Sequence, residues 1–418
     1  MIKKNNIWYN KKYFYELSER GFSKKDILSG IEVLKSEQIT MSSITKEFEI
    51  KFAKKIGSKY AIMVNSGSSA NLIATYAAGN PLRKNRFKPG DEVLVPILCW
   101  PTSVWPLVQF GLKPIFVDIN KDNLNICEDS LLSKINKKTK SIMLVNVLGY
   151  SANLFKIKKI AKKHNLILLE DNCESLGSVY KKKYLGTFGD FASFSFFYSH
   201  QITSGEGGMV TCNTVEDYDL LFSLRSHGWF GGNRTYPRSS KNYNFYKNKY
   251  KNLDPRFIFS NIGFNVRPTD VQAAIGMSQF ERLDSFIDIR NHNRDLIISA
   301  LRKSKNWTGQ FLFIENKNNF KPSLMLMPII LRDDLIHKKK KFISFLEEEG
   351  IETRPIIGGS FNNQPCYKLF KLDRHNDRIY PNAQKIQESG FAIGLHKHKI
   401  STKILNKLIT TLLKIDLL

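Results

Sequence analysis

Between residues 44 and 212 short apolar runs alternate with helix-length amphipathic segments, and this restricts the fold more than any other feature. The runs YAIMVNS, DEVLVPIL, KPIFVDI, SIMLVNVLG and LILLEDN are apolar on both faces and end in turn residues. Such runs read as strands covered from both sides. SSITKEFEIKFAKKIG opens with serines that can cap a helix, SSANLIATYAAG is a small-residue helix, and NLFKIKKIAKKHN fills another crossover. FASFSFF and GGMVTC add two further strands, and EDYDLLFSLRSHG a helix. The pattern predicts an α/β fold with a mostly parallel sheet. Ligands in such folds bind at the carboxyl ends of the strands.

The chain has 418 residues, 42% of them hydrophobic, enough for one major and one minor domain. We expect an N-terminal segment over 1–43, a large domain over 44–290 and a small C-terminal α/β domain over 291–418. The stretch 228–260 is rich in Gly, Asn, Lys, Tyr and Arg and reads as a long irregular excursion, of the kind that is often functional. Helical spacing resumes with TDVQAAIGMSQFERLDSFIDIRNHNRDLIISALRK. No run reaches the roughly 20 apolar residues of a membrane span. The start, MIKKNNIWYNKKYFYEL, lacks a signal-peptide core. The five cysteines are scattered singly, so a reducing cytoplasm is expected rather than a disulfide framework or a metal site. The net charge of +26 comes from dispersed lysines without a nucleic-acid motif, and reads as solvated surface.

Four constellations fall at predicted strand ends. In NSGSSAN, Gly67 and Ser68 open a helix, where backbone N–H groups can cradle a phosphate; a simple capped turn would use the same residues. Asp171 in LLEDNCES ends a strand and can hold a pyridine nitrogen protonated, although Asp after a strand is also a common helix cap. In SFSFFYSHQITSGEGG, Ser195, Ser199 and His200 precede a glycine-rich turn; a lone histidine is more often structural. Asn265 and Arg267 in GFNVRPTD sit just before a helix start, where an ordinary loop would also fit.

In order and spacing the four together resemble the sugar aminotransferase family of fold-type I, aspartate aminotransferase-like PLP proteins, the DegT/DnrJ/EryC1/StrS group, over residues 40–400. The resemblance implies that Gly67, Ser68 and Ser195 meet the cofactor phosphate. It implies that Asp171 and Glu174 meet the ring and its substituents, and that Trp100 stacks on it. The Asn265 and Arg267 element would reach into the neighbouring subunit of a homodimer with shared active sites. One position departs from the family pattern SFxxxKxxxxGEGG: His200 stands where lysine is usual, and no lysine lies between Lys183 and Lys241. Histidine cannot make the lysine's covalent link to the cofactor, but with an ordinary pKa of about 6.5 it can move protons.

This exchange is similar to that of the family's sugar 3-dehydratases. It implies PLP/PMP as cofactor, L-glutamate as amino donor, and loss of the C3 hydroxyl from a nucleotide-linked 4-keto-6-deoxy sugar, with GDP-linked 4-keto-6-deoxymannose preferred. His200 is then the catalytic group, supported by Ser199 or His227. Arg225, Arg267, Arg354 and His396 are candidates for the nucleotide diphosphate, with solvated surface charge as the bland alternative. Two other readings stay open. One is an iron–sulfur-assisted CDP-sugar 3-dehydrase working with a reductase. The other is a non-catalytic homologue that binds cofactor or nucleotide sugar.

Overall fold

The computed structural model describes residues 13–19, 21–40, 42–230, 241–315, 319–372 and 379–418. At its centre lie seven strands: β1 (Tyr60–Val64), β2 (Glu92–Pro96), β3 (Lys113–Val117), β4 (Thr139–Val145), β5 (Ile167–Asp171), β6 (Phe191–Ser195) and β7 (Gly208–Cys212). They form one sheet in the order β1-β7-β6-β5-β4-β2-β3. The pairs from β6 across to β3 are parallel, and β7 runs antiparallel to both β6 and β1. Every residue of β2, β5, β6 and β7 is buried, as apolar runs without alternation require. This is the expected α/β architecture.

Local chemistry places the helices. Ser42 caps the helix Ser43–Ile56 by accepting the Ile44 N–H, and Gly57 ends it in the left-handed region at φ 86°. Ser66 caps Gly67–Ala78 through the Ser69 N–H. Thr269 and Gln272 form a capping box at the start of Asp270–Phe280. The long helical pattern after Thr269 is two helices, Asp270–Phe280 and Leu283–Lys303, parted at Glu281 and Arg282.

A second sheet, with β8 (Phe311–Leu312), β9 (Leu326–Leu331), β10 (Thr353–Arg354) and β11 (Gly390–Gly394), is antiparallel in the order β8-β9-β11-β10. Lys339–Glu348 buries Phe342 and Leu346, and the C-terminal helix Thr402–Leu412 buries Leu408 and Leu412. The helix Leu283–Lys303 passes through position 290 without a break and buries residues along its whole length. The N-terminal segment ties to the small sheet and to the helix Asp270–Phe280. The Tyr15 hydroxyl donates to the Gly394 carbonyl at 2.9 Å. Asp26, on the helix Lys24–Lys35, accepts from Ser278 and Gln279 at 2.7 and 2.8 Å.

The 228–260 excursion departs from expectation. Residues 231–240 lie outside the described residues, but Lys241–Lys249 is a helix and Pro255–Phe257 a 3-10 turn. The helix has nine residues and almost no apolar spacing, so periodicity could not announce it.

Candidate active site

Strand register converges on one edge of the large sheet. Asp171 at the end of β5 lies opposite Val145 and Ser193, and both Val64 and Ser195 lie opposite Gly208. The carboxyl ends of β1, β4, β5 and β6 therefore open onto one cavity of about 430 Å³. Gly67, Ser68, Trp100, Asp171, Glu174, Ser195, Ser199, His200 and Arg354 all line it. Nine of the residues singled out in the sequence thus meet at one cavity, and Ser66, the cap beside Gly67, lines it with them.

Gly67 is required by close approach. A Cβ there would stand 2.6 Å from the Ser195 Cβ and 2.9 Å from the Cys173 sulfur. The first turn of the helix Gly67–Ala78 is thereby pressed against the ends of β5 and β6. Its N–H groups and the Ser68 and Ser195 hydroxyls form a shallow cradle at the positive end of a helix dipole.

Asp171 is held by three donors. The Asn71 amide and the Ser103 hydroxyl each donate to Oδ2 at 2.7 Å, and the Cys173 N–H donates to Oδ1 at 3.0 Å. Ser193 in turn donates to the Asn71 carbonyl oxygen at 2.6 Å, which fixes the amide's orientation. Sequence reasoning found Asp171 and missed Asn71 and Ser103. Asn71 had a signal: it lies one helical turn after Gly67 and so shares its inward face.

His200 follows β6 on a short turn. Its Nδ1 is buried with no hydrogen-bond partner among the described residues. The edge of Phe197 packs on the ring at 5.7 Å between centroids. Burial, with the Arg354 guanidinium second, lowers the imidazole's pKa to about 4, well below the ordinary value expected from sequence. Glu174 moves the opposite way. Burial raises its carboxyl to about 7, against one hydrogen bond from the Leu148 N–H at 3.0 Å and the charge of Arg354.

Arg354 enters from β10 of the small sheet. Its guanidinium carbon lies 6.0 Å from the centroid of the Trp100 ring, and one nitrogen donates to the Ile357 carbonyl at 3.3 Å. Trp100 is 49% exposed, so one face of the indole remains available to a flat ligand.

Five sequence candidates lie elsewhere. Arg225 is buried on the far side of β1, where its Nη1 donates to Glu49 at 2.7 Å and to the Met63 carbonyl at 2.9 Å; this closed ion pair removes it from the substrate set. The His396 ring stacks on Tyr15 at 4.6 Å and donates to the Glu16 carbonyl at 2.7 Å, an anchor for the N-terminal segment rather than a cavity group. His227 is exposed, with φ 61°, and its backbone N–H binds the Phe264 carbonyl, so it does not support His200. Asn265 and Arg267 flank Val266, whose carbonyl accepts the Asn65 N–H at 3.0 Å, yet neither side chain lines the cavity of its own chain.

The arrangement suits a flat, phosphate-bearing aromatic cofactor. It has a cradle that a single Cβ would fill, a carboxylate on the floor, an indole at the side and an imidazole with one free nitrogen. It can hold a pyridoxal or pyridoxamine phosphate and move a proton beside it.

The family model for the DegT/DnrJ/EryC1/StrS aminotransferases matches residues 23–412. The GDP-4-keto-6-deoxy-D-mannose 3-dehydratase of Escherichia coli O55:H7 is 36% identical over 373 residues, which are 89% of this chain and 92% of that one. The solved structure of the E. coli GDP-4-keto-6-deoxy-D-mannose-3-dehydratase with bound hydrated PLP superimposes with a TM-score of 0.84 at 32% identity, covering 96% of this chain and 100% of that chain. GDP-4-keto-6-deoxymannose-3-dehydratase with a trapped PLP-glutamate geminal diamine gives 0.82 at 32% identity, covering 95% of this chain and 100% of that one.

Proposed function

The chain belongs to the DegT/DnrJ/EryC1/StrS aminotransferase family, and we infer that it is a PLP- and PMP-dependent nucleotide-sugar 3-dehydratase. It removes the C3 hydroxyl of GDP-4-keto-6-deoxymannose to give a 4-keto-3,6-dideoxy sugar and ammonia, and L-glutamate restores the pyridoxamine form. The observation that carries this reading is an imidazole, not an amine, at position 200, on the wall of the cavity formed by Gly67, Asp171 and Ser195.

When bound, pyridoxamine phosphate supplies the amine that captures the sugar's C4 ketone and an electron-poor ring that draws charge away from the reacting carbon. The protein supplies the rest. The Ser66–Ser68 turn and Ser195 hold the phosphate, and Asp171 meets the ring nitrogen. Glu174, with its pKa near 7, can accept or donate a hydrogen bond at the ring's other polar substituent. Trp100 covers one ring face.

His200 is neutral at pH 7, because burial and arginine charge disfavour its cation. It can therefore take the proton from the cofactor's C4′ carbon. The same surroundings make the resulting imidazolium a strong acid, ready to pass its proton to the departing C3 hydroxyl oxygen. Ser199, on the same turn, lines the cavity and can help seat the sugar. Arg354 offers its charge to the diphosphate or to the glutamate carboxylate. Hydroxide is a poor leaving group, so delivery of that proton is where the protein contributes most.

The iron–sulfur reading needs four cysteines in one place. Cys99, Cys127, Cys173, Cys212 and Cys366 are scattered singly along the chain, and among the described residues no three of the His, Cys, Asp and Glu side chains group so as to hold a metal.

We also propose a homodimer with shared sites. Phe257, Phe259 and Ile262, the last 89% exposed, form an apolar approach to the Asn265 and Arg267 element. A second copy covering this surface would bring those two side chains to its neighbour's cavity. The decisive experiment is incubation with PLP, glutamate and a panel of GDP-, CDP- and dTDP-linked 4-keto-6-deoxy sugars, following loss of about 16 mass units, the C3 hydroxyl oxygen replaced by hydrogen at the expense of the pyridoxamine amine. A GDP sugar that loses this oxygen while ammonia is released supports the reading; a sugar that gains an amine instead would overturn it.

A further inference from the structure

Arg290 lies outside the cavity on the helix Leu283–Lys303 and is 7% exposed. Its guanidinium reaches three backbone carbonyls. Nη1 donates to Gln201 at 3.0 Å, Nη2 to His200 at 3.5 Å and Nε to Leu395 at 3.1 Å. None of these acceptors is a carboxylate. Burying a guanidinium without a contacting counter-ion is costly, and an apolar side chain would fill the space at less expense. Three carbonyls spread around one planar fork suit arginine, whereas the three donors of a lysine ammonium radiate from a single point.

The three carbonyls come from two places. His200 and Gln201 belong to the turn after β6 of the large sheet, and Leu395 follows β11 of the small sheet. The same turn is pinned from its other side, where the Gln201 amide donates to the carbonyls of Glu174 and Ser323. No side chain holds the imidazole: its Nδ1 lacks a partner among the described residues, and the hydrogen bond that supports its cation comes from the backbone of Ser195, at the root of the same turn. Its aim into the cavity therefore depends on the backbone that carries it.

We propose that Arg290 is the positioning residue for His200: it fixes the 200–201 turn so that the imidazole faces the cavity, and it locks that turn to the small sheet. The inference rests on His200 being the proton-transferring group. Arg290 also adds to the lowering of the His200 pKa, and its own pKa is lowered to about 10 by burial. The charged groups facing the imidazole are Asp171, Glu174, Glu206 and Arg354 around the cavity, and Glu19, Arg290 and Lys397 behind the turn. Removing Arg290 deletes one cation from this set, so the His200 pKa should rise.

The test compares holoenzyme carrying Arg290→Met, Arg290→Lys or Arg290→Ala with the unchanged protein. Four readouts are taken: cofactor absorbance, steady-state rates, thermal melting, and ¹⁵N NMR titration of the His200 ring. For Arg290→Met we expect kcat to fall about 100-fold with KM within about threefold, as for a misplaced catalytic group. The His200 titration and the acid limb of the rate profile should both move upward by about one pH unit. Arg290→Lys keeps the charge but not the fork, so kcat should fall about tenfold with the acid limb unmoved. Millimolar guanidinium should restore part of the rate to Arg290→Ala.

A folded Arg290→Met protein with wild-type kcat and an unmoved His200 titration would overturn the inference. If the apolar variants do not fold, an unchanged kcat in Arg290→Lys overturns it equally. His200→Asn is measured alongside. If that variant turns over normally, the dehydratase reading itself falls. If it is dead while the Arg290 variants behave as wild type, only the positioning role falls.

Discussion

His200 and Glu174 line the same cavity, and burial drives them past each other: the imidazole falls to about 4 while the carboxyl rises to about 7. Both groups are mainly uncharged near pH 6, the reverse of their free order. The stability consequences have opposite signs. A histidine with a lowered pKa costs the folded state more as pH falls from 6.5 toward 4. A carboxyl with a raised pKa costs it more as pH rises from 4.5 toward 7. Each effect is on the order of 3 kcal/mol, so in the intact protein they largely cancel between pH 4.5 and 6.5. Removing one partner should expose the other. Glu174→Gln should lose stability steadily as pH falls from 6.5 to 4, and His200→Asn should gain it over the same interval. Urea melts at four pH values check this; parallel, flat curves for both variants would contradict the paired shifts.

The exchange of lysine for histidine makes a chemical prediction that needs no substrate. Borohydride should leave no cofactor covalently attached to the protein, because no amine stands at position 200. The variant His200→Lys should become trappable, with the mass of the reduced cofactor on the peptide containing residue 200. His200→Asn should bind pyridoxamine phosphate with about wild-type affinity while dehydration falls by at least about 100-fold, the usual contribution of a positioned acid–base group. Absorbance titration and a coupled mass assay separate the two quantities.

Asp171 can do its work only while Asn71 and Ser103 hold it. Hydrogen bonds to a charged group contribute about 1.5–3 kcal/mol each. Asn71→Ala and Ser103→Ala should therefore weaken cofactor binding by about ten- to 100-fold, with Asn71 the larger effect because its loss also leaves the Ser193 hydroxyl only the longer 3.4 Å bond to the Glu170 carbonyl. Quenching of Trp100 fluorescence on titration with PLP gives the affinity. Equal affinity in all three proteins would show that the carboxylate needs no support.

Much of this site could be read in the amino-acid sequence. Gly67, Asp171, Ser195 and His200 each follow an apolar run, and strand ends in a parallel sheet share one edge, so their convergence follows from the alternation alone. What stayed hidden depended on partners far along the chain. Arg225 looks like a free basic residue at a helix end until Glu49, on another helix, is seen to close on it. His396 looks like part of a basic cluster until Tyr15 stacks beneath it. Arg290 carries no motif at all, since its acceptors are backbone carbonyls that any residue could present. The lowered pKa of His200 is likewise a property of what surrounds the ring, not of its neighbours in sequence.

Gly67 offers a steric prediction. A methyl group added there would meet the Ser195 Cβ at 2.6 Å, closer than any real contact, so either the helix Gly67–Ala78 or the end of β6 must move. Overpacking of this kind costs about 1–3 kcal/mol. Gly67→Ala should therefore melt several degrees lower and lose most of its affinity for PLP, because the cradle and Ser195 separate. A variant that melts lower but binds PLP normally would place the phosphate elsewhere in the cavity.

The shared-site dimer is tested by complementation. Asn265 and Arg267 do not line the cavity of their own chain, and the nearby Ile262 is almost fully exposed. If a second copy covers this surface, Ile262→Asp should shift the protein toward monomer by light scattering and abolish turnover together. Arg267→Ala and His200→Asn should each be inactive as homodimers. When the two are unfolded together and refolded, about half of the molecules are hybrids, and in a hybrid one of the two sites combines an intact His200 with an intact Arg267 from opposite chains. The mixture should then regain about a quarter of the wild-type rate. No recovery on mixing, with hybrid dimers present by native mass spectrometry, would mean that each chain completes its own site.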